Sequence, residues 1–170
     1  MRLKDDNLKR YLALNDKLKG VISWRERAKI CDPDARLHAP AASSMIQEAE
    51  EKLGIEMPEP LKDIYSESNG IFMNSGANTI MTIEAMVAEN LQLRNAEEFR
   101  ELYMPFDNLL FFGAAGNGDM WAFGIKMNGD IDDLNLYGWN HENDARPWVA
   151  RNILDLLTRV GSGNLFDASN

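Results

Sequence analysis

Glu50 is the side chain best placed to do chemistry, because it shares a helical face with Ile46 and Leu53 and its carboxylate therefore falls against an apolar surface. A carboxylate in that setting requires hydrogen-bond donors, and catalysis would require a second acid or base beside it. No such partner stands at a telling spacing, so Glu50 is expected to accept backbone N–H groups of a following turn, in the region of Asn69-Gly70. The string Gly113-x-x-Gly116-x-Gly118 invites comparison with a phosphate loop, since glycines let backbone N–H groups approach an anion. No Lys-Ser/Thr pair follows it, no helix opens there, and Asp119 would repel a phosphate; a tight strand connection is expected instead. His141-Glu142 begins like a zinc-protease motif, yet position 145 is Ala where the second histidine would stand. His38 and His141 are the only histidines, so a histidine-rich metal site is excluded and His141 is expected in a loop or at the surface.

Nucleophilic hydrolysis has no visible apparatus either. The serines at 43, 44, 66, 68 and 75 stand in cap or turn contexts, and no G-x-S-x-G elbow occurs. No cofactor and no metal are expected. What remains is an acidic and aromatic set, Asp130, Asp132, Asp133, Trp139, Glu142 and Asp144, in which carboxylates rimming an exposed aromatic would suit a basic protein partner. The charge distribution agrees: residues 1–40 hold 10 basic and 6 acidic groups, a balance of +4, and residues 41–170 hold 8 and 21, a balance of −13. Such a field disfavours nucleic acid, so Trp121, Phe123, Tyr137, Trp139 and Trp148 are read as core rather than as a base-stacking platform.

These groups need elements to position them. The run 50–70 reads helix, stop, restart, stop: Gly54 follows Leu53 where a helix needs a left-handed residue, Pro58 and Pro60 suit a first turn, and Asn69-Gly70 ends the second helix. The first of these helices is expected to start at Ser43, with Ser44-Met45-Ile46-Gln47 as a capping box. Two short strands, 71–73 and 79–81, are separated by Asn74-Ser75-Gly76. A long helix is expected over 83–103, ended by Pro105, then strands at 109–112, 120–126 and 131–139, with Leu134 and Leu136 facing away from Asn135, Tyr137 and Trp139. A terminal helix is expected over 148–157, with Val149, Ile153, Leu156, Leu157 and Val160 on one stripe closed by Gly161. The 45% hydrophobic content supports one α+β domain with a largely antiparallel central sheet and flanking helices.

The leader differs from this body. Leu3, Leu8, Leu12, Leu14, Leu18 and Ile22 give an imperfect helical stripe interrupted by Gly20, so residues 1–40 are expected as a basic helical extension, 41–162 as the domain and 163–170 as a tail. One cysteine, Cys31, excludes an internal disulfide, and no apolar leader or membrane-length segment occurs; a cytoplasmic protein without membrane contact is expected.

Ile46, Glu50, Leu53-Gly54, Met57-Pro58, Tyr65 and Asn69-Gly70, with Phe112-Gly113, Gly116 and Gly118-Asp119 further on, resemble the SUKH superfamily of Smi/Knr-like domains over residues 40–160. Met57 stands where that pattern has leucine, and the leader has no counterpart in it. The resemblance implies a Smi/Knr-like α+β fold and a non-enzymatic, protein-binding role. It also implies a cytoplasmic bacterial immunity protein that neutralises a cognate toxin, often a nuclease, by direct binding. In that view Glu50, Gly54, Pro58, Asn69, Gly70, Gly113 and Gly118 are a structural signature. A regulatory or scaffold protein of the same fold is the alternative, with a carboxylate-dependent hydrolase a more distant one; the oligomeric state is open.

Overall fold

A computed structural model describes residues 23–73 and 77–163 together with Ala13. The run 50–70 folds as its punctuation requires. Helix α2 (Ser43–Leu53) ends because Gly54 adopts the left-handed region at φ 64°, ψ 36° and returns its N–H to the Glu50 carbonyl. Helix α3 (Glu59–Glu67) starts after Pro58, with Pro60 in its first turn, and buries Leu61, Ile64 and Tyr65. The expected capping box does not form: Ala42 is the N-cap of α2, and no side chain caps it.

Ahead of these lie helix α1 (Trp24–Cys31) and strand β1 (Arg36–Leu37), both within the segment expected as a helical extension. Trp24, Ala28 and Ala35 are buried, and β1 pairs antiparallel with β2 (Ile71–Met73). The segment between β1 and α2 is strapped to the end of α3, with Asn69 N–H donating to the Ala39 carbonyl at 2.8 Å and Ala41 N–H to the Tyr65 carbonyl at 2.9 Å. Helix α1 also meets the C-terminal helix, where a Cβ at Gly161 would collide with the Cys31 carbonyl. Trp24, Ala28 and Ala35 are therefore part of the core. The leader stripe from Leu3 to Ile22, the turn 74–76 and the tail beyond Gly163 lie outside the described residues.

Strand β3 (Ala77–Ile80) completes a three-stranded antiparallel sheet in the order β1-β2-β3. Helix α4 (Ile83–Asn95) is capped by Thr82, whose hydroxyl accepts the Ala85 N–H. It stops well short of 103. Glu97 and Glu98 would sit unfavourably at the negative end of a continued helix, and the chain instead forms a 3₁₀ turn, Glu97–Phe99. That turn sends Phe99 and Tyr103 back into an aromatic group with Phe106 and Trp139.

Strands β4 (Leu109–Ala114), β5 (Met120–Ile125), β6 (Ile131–Trp139) and β7 (Trp148–Ala150) form a second antiparallel sheet in that order. Met81 N–H donates to the Phe112 carbonyl at 2.8 Å, joining the two sheets. Gly113 lies within β4 rather than in the loop that follows, and no side chain fits there, because its Cβ would strike the Thr79 carbonyl. The terminal element is not one helix over 148–157. Trp148 and Ala150 pair with Tyr137 and Leu136 as an edge strand, and helix α5 (Ile153–Gly161) begins only after Asn152, whose side chain accepts the Asp155 N–H. In β6 the register jumps: Phe123 faces Leu136 but Gly124 faces Asp132, so residues 133–135 bulge out of the ladder. The simple alternation fails there, leaving Leu136 fully buried and Leu134 71% exposed.

Candidate functional site

Glu50 is half-buried and its Oε1 accepts the Met57 N–H at 2.8 Å. The donor belongs to the α2–α3 turn, seven residues on, and not to Asn69-Gly70. Asn69 has its own task, starting α4: its Oδ1 accepts the Ile83 N–H at 2.8 Å and its Nδ2 donates to Glu84 at 3.0 Å. That amide, with the N–H groups and hydroxyl of the same helix end, holds the Glu84 carboxyl below its ordinary value. Gly70 has φ 100° and lies against the backbone of Ile80 to Thr82. The signature residues thus fasten turns and helix starts. Burial pushes the half-buried Cys31 thiol up to about 11, against a weaker opposing contact with Thr158.

The loop after β4 places Gly118 and Asp119 against His141. Asp119 is buried and its Oδ1 lies 2.8 Å from His141 Nδ1. Sequence reasoning placed His141 in a loop and did not pair it with Asp119, because 22 residues separate them and only the β5–β6 hairpin closes the gap. This is an oriented carboxylate–imidazole pair, but among the described residues no hydroxyl or thiol nucleophile bonds to the ring.

Trp139 corrects the expected exposed aromatic: it is 4% exposed, packed edge-on against Tyr103 and Phe106. Its Nε1 donates to Asp144 Oδ1 at 2.8 Å. Asp144 in turn accepts the Met104 N–H at 2.8 Å and pairs with Arg146 at 3.1 Å. Arg146 reaches the carbonyls of Met104 at 2.7 Å and Pro105 at 3.0 Å, so the β6–β7 connection is cross-braced to the segment after the 3₁₀ turn. Trp139 and Asp144 are internal to this brace.

The other acidic residues do not form one face. Asp130, Asp132 and Asp133 precede or begin β6, Glu142 follows it, and nine residues of strand put roughly 25 Å between the two groups. Asp130 closes the β5–β6 turn with Asn128 at 2.6 Å, and Asp132 holds the bulge, accepting from Leu134 N–H and Asn135 at 3.1 Å each. Beside them sit Leu134 and Trp148, the latter 42% exposed with its Nε1 bonded to Asn135 at 3.1 Å. Arg159 lies over the Trp148 ring at 5.3 Å, so Trp148 is an exposed aromatic near the acidic bulge that already carries a cation of its own chain. The sequence signal for the bulge was Leu134 standing within Asp-Asp-Leu-Asn, an apolar residue that a regular strand would have buried.

Two grooves border α4. One, of about 640 Å³, is lined by Leu91, Arg94, Phe99, Tyr103 and Met104; the other, of about 410 Å³, lies between α2 and α4 over Met45, Ala49 and Val87. Arg94 is half-buried, bonded to the Leu109 carbonyl at 3.1 Å, and burial lowers its affinity for its proton against the opposing field of Asp107. Charged groups line both, Asp107 with Arg94 and Arg100 in the first and Glu48 and Glu84 with Lys52 in the second. Among the described residues no three His, Cys, Asp or Glu side chains group to hold a metal, and no helix is long and apolar enough to cross a membrane.

A SUKH family model described as SMI1-KNR4 cell-wall matches residues 43–157, from the first residue of α2 into α5. Helix α1 and strand β1 precede the matched region. No curated protein matches the chain.

Proposed function

Because the chain belongs to the SUKH family described as SMI1-KNR4 cell-wall, we propose that it is a non-enzymatic protein-binding domain, an immunity protein that neutralises a cognate basic toxin domain by direct contact. The observation that carries this reading is the β6 bulge: Leu134 is 71% exposed directly after Asp132 and Asp133, and Trp148, 42% exposed with Arg159 over its ring, is tied to the same bulge through Asn135. An apolar anchor beside like charges suits a basic partner, because the charges steer encounter and the anchor supplies desolvated contact. The hydrolase alternative loses support where it would need it, since Glu50 is committed to the Met57 N–H and Lys62.

The test is co-expression with the protein encoded immediately upstream, reading whether that neighbour is toxic, whether growth is rescued and whether a stable complex forms. Asp133→Lys is then expected to slow association and weaken its salt dependence; Asp130 and Asp132 are left alone because they hold the turn and the bulge. Unchanged kinetics would remove this face, and a complex without rescue would leave a regulatory or scaffold role.

A further inference from the structure

Helix α4 is apolar on two adjoining sides. Met86 and Leu93 are buried in the core, while Val87 and Leu91, half-buried, line the groove of about 410 Å³ that α4 forms with Met45 of α2. A helix apolar on two sides is ordinarily covered on both, and among the described residues nothing fills this groove. Its rim is charged. Glu48, Glu84 and Lys52 line it, and Lys52 is already paired with Glu48 at 3.9 Å. Together α2 and α4 carry five acidic and two basic side chains, a balance of −3.

The chain ahead of α1 joins the core beside this groove. Ser23 precedes α1 with an extended backbone, φ −72° and ψ 129°, and its hydroxyl donates to Glu67 Oε2 at 2.8 Å. Two residues after Glu67, Asn69 Nδ2 donates to Glu84 at 3.0 Å, and Glu84 lines the groove. The side-chain and backbone lengths along this route add up to roughly 25 Å at most, a span that about eight extended residues cover, so residues up to 14 reach the groove. Residues 1–22 hold six basic and three acidic side chains, a balance of +3 that is opposite to that of α2 and α4. Leu8, Tyr11 and Leu12 stand at i, i+3 and i+4, the spacing of anchors that a helix lays into a groove. Ala13 is helical and exposed, and on a helix that position lies across from Tyr11 and Leu8.

We propose that residues 8–14 dock along the α2–α4 groove of their own chain, with Leu8, Tyr11 and Leu12 over Met45, Val87 and Leu91 and the positive charge of the leader set against the acidic rim. Seven residues of helix span about 10 Å, close to the roughly 12 Å of α4 between Ile83 and Leu91. Because the occupant is tethered at Ser23, its effective concentration at the groove is high, and a few apolar anchors suffice to hold it. This contact is independent of the immunity reading, which concerns the β6 bulge.

The test places a nitroxide at Ala13→Cys in the full chain, with Cys31→Ser to leave a single thiol, and follows ¹³C-labelled methionine and valine methyls. The Met45 and Val87 signals are expected to lose most of their intensity, more than any other methyl of residues 23–163. Leu12→Asp in the leader, or Ala88→Arg at an exposed position of the groove, is expected to restore both signals while the remaining methyls keep their shifts. A mixture of spin-labelled and isotope-labelled chains is expected to show no such loss. Loss centred on other methyls, no loss at all, or intensities unmoved by both substitutions would overturn the proposal, and loss in the mixture would overturn it in favour of a second copy in the groove. Failure of growth rescue would overturn the immunity assignment and leave this result standing.

Discussion

Asp144 accepts the indole N–H of Trp139 at 2.8 Å from a backbone held at φ 58°, a left-handed conformation that few residues other than glycine adopt. The same carboxylate takes the Met104 N–H and Arg146, so one side chain ties the end of β6 to the wall of the larger groove. Asp144→Ala leaves the Trp139 indole and the Met104 N–H without their acceptor and takes the carboxylate from Arg146, which keeps the Met104 and Pro105 carbonyls. With the Asp144 and Arg146 side chains only 12% and 11% exposed, the expected cost is about 3–5 kcal/mol. A fall in Tm of roughly 6–15 °C would register it. Asp144→Asn, which tolerates the left-handed region and keeps an acceptor, is expected to lose about half as much or less.

Gly54 and Gly113 separate two reasons for glycine. At Gly54 φ is positive but nothing lies within 4 Å of a Cβ, so Gly54→Ala is expected to cost only about 1 kcal/mol. At Gly113 the obstacle is the Thr79 backbone, which cannot rotate away, and Gly113→Ala is expected to part β4 from β3 and prevent stable folding. Urea denaturation of the two variants makes the comparison; similar midpoints would contradict it.

Leu134 and Leu136 are two residues apart in one strand and should behave oppositely. Leu136→Ala removes a fully buried side chain and is expected to cost about 2–5 kcal/mol, whereas Leu134→Ala should stay within about 0.5 kcal/mol. Equal costs would mean that the bulge at 133–135 is not formed.

Glu67 links α1 to α3. Burial raises its proton affinity, but hydrogen bonds from the Trp24 N–H, the Ser23 hydroxyl and the Arg25 N–H outweigh it and hold the carboxyl below its ordinary value of 4.5. A carboxyl depressed in the folded state stabilises that state above its unfolded value, and the contribution is lost as pH falls through the folded one. Amide protection across α1, relative to the unstructured rate at the same pH, is therefore expected to fall below about pH 4.5 before the sheets open, and Glu67→Gln should show the lower protection already at pH 7. Simultaneous loss of protection in α1 and β5 would argue against the link.

Much of the fold was legible wherever a residue's backbone chemistry left little choice. Gly54, Pro58 and Pro60 placed the ends of α2 and α3 directly, and Asn128-Gly129 placed the turn between β5 and β6. The site was less legible. Trp139 and Trp148 have the same composition-level claim on a binding surface, and the aromatic cluster of Tyr103 and Phe106 buries one of them while the edge position of β7 exposes the other. The family motif is likewise local, covering residues that make turns and helix starts.

The sequence by itself determined the α+β class, the antiparallel order of the later strands, the acidic body and the SUKH membership, because these depend on neighbouring residues, on composition or on short-range backbone preference. Only the tertiary structure decided that Trp24, Ala28 and Ala35 join the core, that the acidic residues divide between the two ends of β6, and that Asp119 meets His141. Those outcomes rest on strand register and on contacts across 22 to 44 residues of chain, and local patterns carry no information about either until packing chooses which surfaces meet.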